Sequence, residues 1–313
     1  LILIIALTSI FKVSVVLEAY YQSQVMAEII AASSSAAVLV SSLIKVGLIL
    51  FNAPVPYFAA AITFDSSLLL FGLLIFSRQA ASHLKVRATS ARYAKSLLSQ
   101  SWPYIISGLL ISVYMKIDLV MIKEIEGDFS AGQYAAAARL SEACYFIPMT
   151  IVASLFPAIL NAKSRDEDEY RHRVSNLYSL MFFLSVAISL SVVFFSSTIV
   201  ELLYGSEYSL ASKVLSIHVI ASVFVFIGVS SDRWLLAEGL QKYSAINTFF
   251  GAAANVALNY LLIPRFGIEG AAWATLISYS VSAYFCLAIW TRTRRNFYLI
   301  TRAATRVPVL KFS

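Results

Sequence analysis

Nine apolar runs recur along the chain, at residues 1–19, 27–50, 54–77, 101–122, 132–160, 174–200, 210–231, 242–263 and 268–290. Each is near the roughly 20 residues that a helix needs to cross the hydrocarbon core of a bilayer. Hydrophobic residues make up 59% of the sequence and charged residues 13%, with a mean hydropathy of +0.78. A soluble domain carries about half and about a quarter. Lipid offers no hydrogen bonds to an exposed backbone, so runs of this length must be helices. The expected fold class is an all-α polytopic membrane protein. Pro148 and Pro157 are expected to kink the long fifth run. Cys144 and Cys286 both fall inside apolar runs, which points to packing rather than to a disulfide or a metal site.

Lys and Arg in the connections set orientation. Alternate connections hold Arg78, Lys85, Arg87, Arg92, Lys95, Lys163, Arg165, Arg171, Arg173, Arg233 and Lys242, and the C-terminal segment adds Arg292, Arg294, Arg295, Arg302, Arg306 and Lys311. The opposite connections hold only Lys123, Lys213 and Arg265. Seventeen against three places the C-terminus in the cytoplasm. It also accounts for the net charge of +7 without a nucleic-acid partner. The acidic run Asp166–Glu169 lies among basic residues and reads as a solvated loop. Nine spans would put Leu1 outside, and the chain starts without an initiator Met or a basic n-region. A missing N-terminal portion of about three spans is therefore expected, rather than a signal peptide. No phosphate-binding glycine loop, paired Cys or His ligand set, or large extramembrane domain is present, so neither an enzyme nor a cofactor is expected.

From Gly251 to Ser280 two apolar helices are joined by Arg265-Phe266-Gly267, a connection short enough to make them antiparallel neighbours. Asn255 and Asn259 share a face of the first helix, and Gly270, Ala271, Ala272 and Ala274 open the second. Small residues let helix backbones approach in lipid, and Asn supplies interhelical hydrogen bonds. The pattern Asn255-x-x-x-Asn259-x-x-Leu-Ile-Pro264-x-x-Gly267-Ile-x-Gly270-Ala-Ala-x-Ala-Thr275 resembles the eleventh and twelfth helices of the bacterial polysaccharide flippases. These O-antigen flippase-like exporters belong to the superfamily that also holds multidrug extruders and lipid II flippases. Asp118-Leu-Val-Met-Ile, followed by Gly132-Gln-Tyr134, Arg139-Leu-Ser-Glu142, Pro148 and Pro157, is similar to the family's seventh and eighth helices. Leu203-Tyr-Gly205 with Tyr208 and Ala211 resembles the entry to its tenth.

The resemblance implies helices four to twelve of a twelve-helix transporter made of two six-helix bundles. Residues 1–77 would end the N-terminal bundle, 78–100 form a cytoplasmic linker, 101–290 the C-terminal bundle and 291–313 a basic tail. Sliding 27–78 by 214 positions lays it on 241–292, pairing Phe71 with Phe285, Ile75 with Ile289, Arg78 with Arg292 and, extended backward, Glu18 with Asp232. That fits two parallel repeats. The implied function is flipping an undecaprenyl-pyrophosphate-linked oligosaccharide across the bacterial inner membrane. The implied partners are that substrate, membrane lipid, and candidate polymerase and chain-length proteins. The rivals are a multidrug or cation-coupled extruder of the same fold, and a polysaccharide polymerase or ligase.

Charges inside spans are costly and mark the pathway. Lys12, Lys45, Lys116 and Arg139 are expected to bind substrate, because buried cations supply charge-assisted hydrogen bonds to phosphate. Asp65, Asp118 and Glu142 are expected to couple ions. Arg139 and Glu142 are neighbours at i and i+3, so a structural ion pair stands beside a substrate role. Lys116 and Asp118 are two apart and must face different ways. Asn255 and Asn259 are expected to bond between helices, with Asn247 near the same face, and His218 to be packed or hydrogen-bonded.

Overall fold

The computed structural model describes residues 2–23, 26–80 and 91–305, and among them all regular structure is helical. Two compact units are formed. The unit Leu1–Ser90 holds α1 (Ile2–Phe11), α2 (Ser14–Ser23), α3 (Ala27–Leu50) and α4 (Val55–Ala80). The unit Ala91–Ser313 holds α5 (Ala91–Glu142), α6 (Phe146–Lys163), α7 (Glu167–Tyr204), α8 (Ser209–Ala237), α9 (Gln241–Ser280), α10 (Cys286–Ile289) and α11 (Arg294–Ala303). Of the expected linker, residues 81–90 lie outside the described residues, as does the chain from 306 onward.

In the first unit α3 and α4 pack closely where Gly72 faces Ser33; a Cβ on Gly72 would stand 3.2 Å from that of Ser33. The Tyr21 hydroxyl donates to the Leu73 carbonyl at 3.2 Å, and Thr8 meets Thr63 at 3.2 Å. The first apolar run is not one continuous helix. Around Lys12 and Val13 the backbone switches to bonds three residues apart, which tightens the chain into a turn. The result is two helices of 10 residues, each too short to cross alone.

Six helical stretches among the described residues are long and apolar enough to cross a membrane. Ile105–Lys163 has 59 residues and Gln241–Ile289 has 49, each far more than one crossing. Both reverse at a glycine. Gly127 has φ 88° and ψ 178°, and Gly267 has φ 58° and ψ −140°, backbone states that side chains with a Cβ rarely adopt. After Gly267 the chain returns along itself, with Gly270 against the Leu262 carbonyl and Gly251 against Ser278 and Ser282. After Gly127, Tyr134 returns to Asp118 and Glu142 to Lys116. Each stretch is thus a helical hairpin. The second arm of the α5 hairpin is interrupted by a 3-10 turn at Ala143–Tyr145, where Pro148 has no N–H to offer the Cys144 carbonyl. Pro157 is carried inside α6. After α9 a π-helical turn, Val281–Phe285, leads into α10.

The packing is that of a protein dissolved in lipid. Leu43, Phe194 and Leu202 are 72, 83 and 82% exposed, while Asn255, Asn259, Ser185 and Ser222 are fully buried. Ala271, Ala272 and Ala274 are also fully buried, as close helix approach requires. In the second unit one apolar cluster lies among α6, α7, α8 and α11, centred on Tyr178, Met181 and Phe226. Another joins α5, α8 and α9 through Ile122, Val214, Leu215 and Ile263.

The connections of this unit gather at two ends. At one, Gln133 Nε2 donates to the Glu207 carbonyl at 2.7 Å and Lys213 meets Glu269 at 3.7 Å, so the turns at Gly127, Gly205 and Gly267 lie together. At the other, Lys163 donates to the Ala237 carbonyl at 2.6 Å and Arg295 grips Glu167 at 2.8 Å. The second end carries the basic connections. The segment expected to be a basic tail is partly built into it, because α11 buries Ile300 and Ala303 against the bundle. Asn296, also fully buried, accepts from the Tyr178 hydroxyl at 2.6 Å and donates to Ser231 at 2.8 Å.

Close approach at Gly270 is directly testable. Gly270→Ala drives a methyl group into the Leu262 carbonyl and is expected to destabilise the unit by about 1–3 kcal/mol, the usual range for overpacking. Gly132→Ala meets nothing within 4 Å and should leave the midpoint of thermal unfolding in detergent unchanged or raised. Equal midpoints for Gly270→Ala and wild type would refute the close-packed hairpin.

Candidate functional site

Asp118 lies on the first arm of α5 and is 3% exposed. Helical spacing puts it on the buried face, two residues from an exposed Lys116. Its Oδ2 accepts from the Tyr134 hydroxyl at 2.8 Å and from Thr275 Oγ1 at 2.5 Å. Its Oδ1 accepts from Asn259 Nδ2 at 2.6 Å. Tyr134 belongs to the returning arm of α5, Asn259 to the first arm of α9 and Thr275 to the second. Four helical arms therefore converge on one carboxylate. Among the described residues no Lys or Arg pairs with Asp118, so its carboxyl group is held by neutral donors alone. An unpaired ion in such a place costs several kcal/mol, which is why each donor matters.

The same knot leaves oxygen ligands to spare. Asn259 also donates to Asn255 Oδ1 at 3.2 Å, while Asn259 Oδ1 and Asn255 Nδ2 are buried without a protein partner. The Ala271 carbonyl lies 3.1 Å from Thr275 Oγ1. Carboxylate, amide, hydroxyl and carbonyl oxygens form a donor set suited to a hard cation rather than to a soft metal. Among the described residues no group of three or more His, Cys, Asp and Glu converges for a metal. Behind Tyr134, His218 is 3% exposed, with Nδ1 2.6 Å from Ser141 Oγ and its ring edge-on to that of Tyr134. His218 is thus hydrogen-bonded, as expected.

A cavity of about 190 Å³ opens beside this knot, walled by Tyr114, Tyr145 and Tyr279 and by the polar groups of Asp232, Ser244, Asn247 and Thr248. Ser244 Oγ donates to Asp232 Oδ1 at 2.7 Å, and Asn247 Oδ1 is buried without a protein partner. Asp232 is not among the expected intramembrane acids, because the seventh apolar run ends at 231, whereas α8 continues to Ala237. The one available signal was its pairing with Glu18 in the 214-residue repeat.

The other expected site residues fall in separate places. Lys12 is exposed in the turn between α1 and α2, while Lys45 on α3 and Asp65 on α4 are half-buried, all three in the first unit. Lys116 is largely exposed and pairs with Glu142 at 3.7 Å across the α5 hairpin. Of the two readings of Arg139 and Glu142, the ion pair between them is not formed, because Lys116 takes Glu142 instead. The reversal at Gly127 brings Lys116 opposite Glu142, and Arg139 points outward with no ion pair among the described residues. Asn259 bonds to another helix, as its face suggested, and Asn255 backs it from one turn away.

Comparison with known proteins gives this geometry its context. Residues 1–163 match the family described as polysaccharide biosynthesis protein, and residues 103–261 match the MatE family. A Haloferax volcanii protein assigned as a low-salt glycan biosynthesis flippase is 28% identical over 202 residues, 63% of this chain and 42% of that protein. A Shigella dysenteriae protein assigned as an O-antigen transporter is 24% identical over 183 residues, 58% of this chain and 44% of that protein. A Shigella flexneri protein with the same assignment is 23% identical over 60% of this chain and 44% of its own length. The chain spans less than half the length of each of these relatives. Two family matches, each covering just over half of the chain, overlap across the α5 hairpin that carries Asp118, and the MatE match also takes in Asn255 and Asn259: the chain belongs to the polysaccharide flippase family of the multidrug/oligosaccharidyl-lipid/polysaccharide exporter superfamily.

Proposed function

We propose that this chain serves a transporter that flips an undecaprenyl-pyrophosphate-linked oligosaccharide repeat unit across the bacterial inner membrane, with its basic end in the cytoplasm. The observation that carries this reading is the set of relatives assigned as glycan flippase and O-antigen transporter, aligned over some three-fifths of the chain. The chemistry agrees. A pyrophosphate-linked sugar head cannot cross hydrocarbon unaided and needs a polar route with cations for its phosphates. Arg139 is the strongest substrate candidate, because its guanidinium is not committed to a carboxylate. Lys12 and Lys45 are further candidates in the first unit, and Lys116 would have to exchange Glu142 for the substrate.

Asp118 is the coupling residue in this reading. A monovalent cation entering the knot would take Asp118, Asn255, Asn259, Thr275 and the Ala271 carbonyl as ligands, displacing the Asn259 and Thr275 hydrogen bonds. Because those ligands come from both hairpins, occupancy would bias how α5 packs on α9. Asp65 remains a second coupling candidate, and Glu142 acts through Lys116. The MatE match favours one rival, a drug extruder on the same fold. Polymerase and chain-length proteins are the partners to seek if the glycan reading holds.

In cells that depend on this protein for surface glycan, Asp118→Asn should lower export at least tenfold at normal membrane abundance, and lipid-linked oligosaccharide should accumulate. Wild-type export by Asp118→Asn would remove the coupling role. Drug sensitivity without oligosaccharide accumulation would instead favour the extruder. Arg139→Gln changes an exposed side chain, so stability should move by less than about 0.5 kcal/mol. A loss of export by that variant, partly restored in Arg139→Lys, would then report substrate contact rather than misfolding. For orientation, a cysteine placed at Asp168 should react with impermeant reagent only from the cytoplasm, and one at Glu207 only from outside. The reverse pattern overturns the proposed sidedness.

A further inference from the structure

The α11 helix presents two different surfaces. Its inner face is locked to the bundle by Ile300, Ala303 and the two hydrogen bonds of Asn296, and Ser179 Oγ donates to the Ala303 carbonyl at 3.0 Å. This is a fixed platform, unlike a mobile basic tail. Its outer face, with Arg171 at the start of α7, walls an open cavity of about 570 Å³ lined by Arg171, Arg294, Arg295, Tyr298, Leu299 and Arg302. Four of the six lining residues are guanidinium groups.

Their charges are unevenly compensated. Glu167 accepts from Arg295 at 2.8 Å and from Arg171 at 3.3 Å, which orients both forks. Arg171 also lies 3.8 Å from Asp168. Arg294 donates to the Ala288 carbonyl at 3.2 Å, and neither Arg294 nor Arg302 has an acidic partner among the described residues. The cavity therefore keeps a surplus of positive charge with planar donors, which suits a phosphate diester or monoester. Leu299 and the 56%-exposed Tyr298 add an apolar and an amphipathic wall. Amphipathic rings and basic heads side by side are what the boundary between headgroups and acyl chains demands. The site lies at the bundle end that gathers the basic connections, where α7 begins and the last apolar run ends.

We infer that this cavity is a binding site for the phosphate of an anionic phospholipid headgroup, held by Arg171, Arg294, Arg295 and Arg302 with the acyl chains beside Leu299 and Tyr298. The site docks the α11 end of the bundle onto anionic lipid, and it stands whether or not the cargo is a glycan.

The test uses the full chain purified in neutral detergent, with retained lipid counted by native mass spectrometry against added phosphatidylglycerol or phosphatidylcholine. Wild type should retain one phosphatidylglycerol in clear preference to phosphatidylcholine, and salt should weaken the preference. Arg302→Gln should reduce that preference about fivefold, the usual effect of one basic residue near an anionic surface. Arg294→Gln should act in the same direction, so that the result does not hang on one variant. Both should keep wild-type helicity and unfolding temperature, since neither residue is paired with an acid. Equal retention of the two lipids, or an unchanged preference in both variants, overturns the site. Displacement of phosphatidylglycerol by millimolar inorganic phosphate would assign the cavity to free phosphate and overturn the lipid.

Discussion

A carboxylate buried in a membrane-spanning bundle must be stabilised on every side, and Asp118 imposes that requirement on four helical arms at once. Its partners Tyr134, Asn259 and Thr275 come within 2.8, 2.6 and 2.5 Å. Tyr134 reaches it only because α5 reverses at Gly127, and Thr275 only because α9 reverses at Gly267. The two glycine turns, the small residues that let the α9 arms close, and the polar knot are therefore one construction. Loss of any donor leaves a buried carboxyl oxygen short of a partner, which is costly where water cannot replace it.

The bilayer explains the rest of the distribution. Apolar side chains gain nothing by hiding from lipid, so Phe194 and Leu202 face outward while serines and asparagines turn inward. Association of helices then rests on close backbone approach and on polar contacts such as Ser189 Oγ to the Val219 carbonyl at 2.9 Å. Charges that cannot be satisfied inside are driven to the ends. That places Lys163, Arg171 and Arg295 together at one end and Glu207 and Glu269 at the other.

Much of this was legible in the sequence, for reasons that can be stated. Run length against bilayer thickness gives crossings, and the short Arg265–Gly267 connection gives an antiparallel pair. The two-residue offset between Lys116 and Asp118 requires that they face different ways. Three features were not legible, each because a non-local contact decides it. Glu142 has Arg139 within its own helix, yet Lys116 takes it across the hairpin. Asp232 lay one residue beyond the end of an apolar run, and only the extent of α8 shows that it belongs to a wall of the tyrosine-lined cavity. The Arg-rich segment after residue 291 has the charge of a solvated tail. Its i, i+4, i+7 set, Asn296, Ile300 and Ala303, packs it down, with a polar residue leading the buried stripe.

That buried Asn296 also shows why the two ends of the bundle need not behave alike. At the opposite end, the turns at Gly127, Gly205 and Gly267 are bound to one another through the side chain of Gln133, which donates to the Glu207 carbonyl and accepts from the Ala211 N–H at 3.2 Å, and through the Lys213–Glu269 pair. At the basic end, α11 is keyed into α7 and α8 by side chains that reach the bundle interior. Asp118 lies between these two ends, held by hydrogen bonds from Tyr134, Asn259 and Thr275, while the nearby Lys116–Glu142 ion pair spans the α5 hairpin without touching it. A cation arriving there would exchange neutral donors for oxygen ligands without breaking a salt bridge. In the proposed function, repacking of the helices about the knot while both ends hold is the mechanical condition that coupling through Asp118 would require.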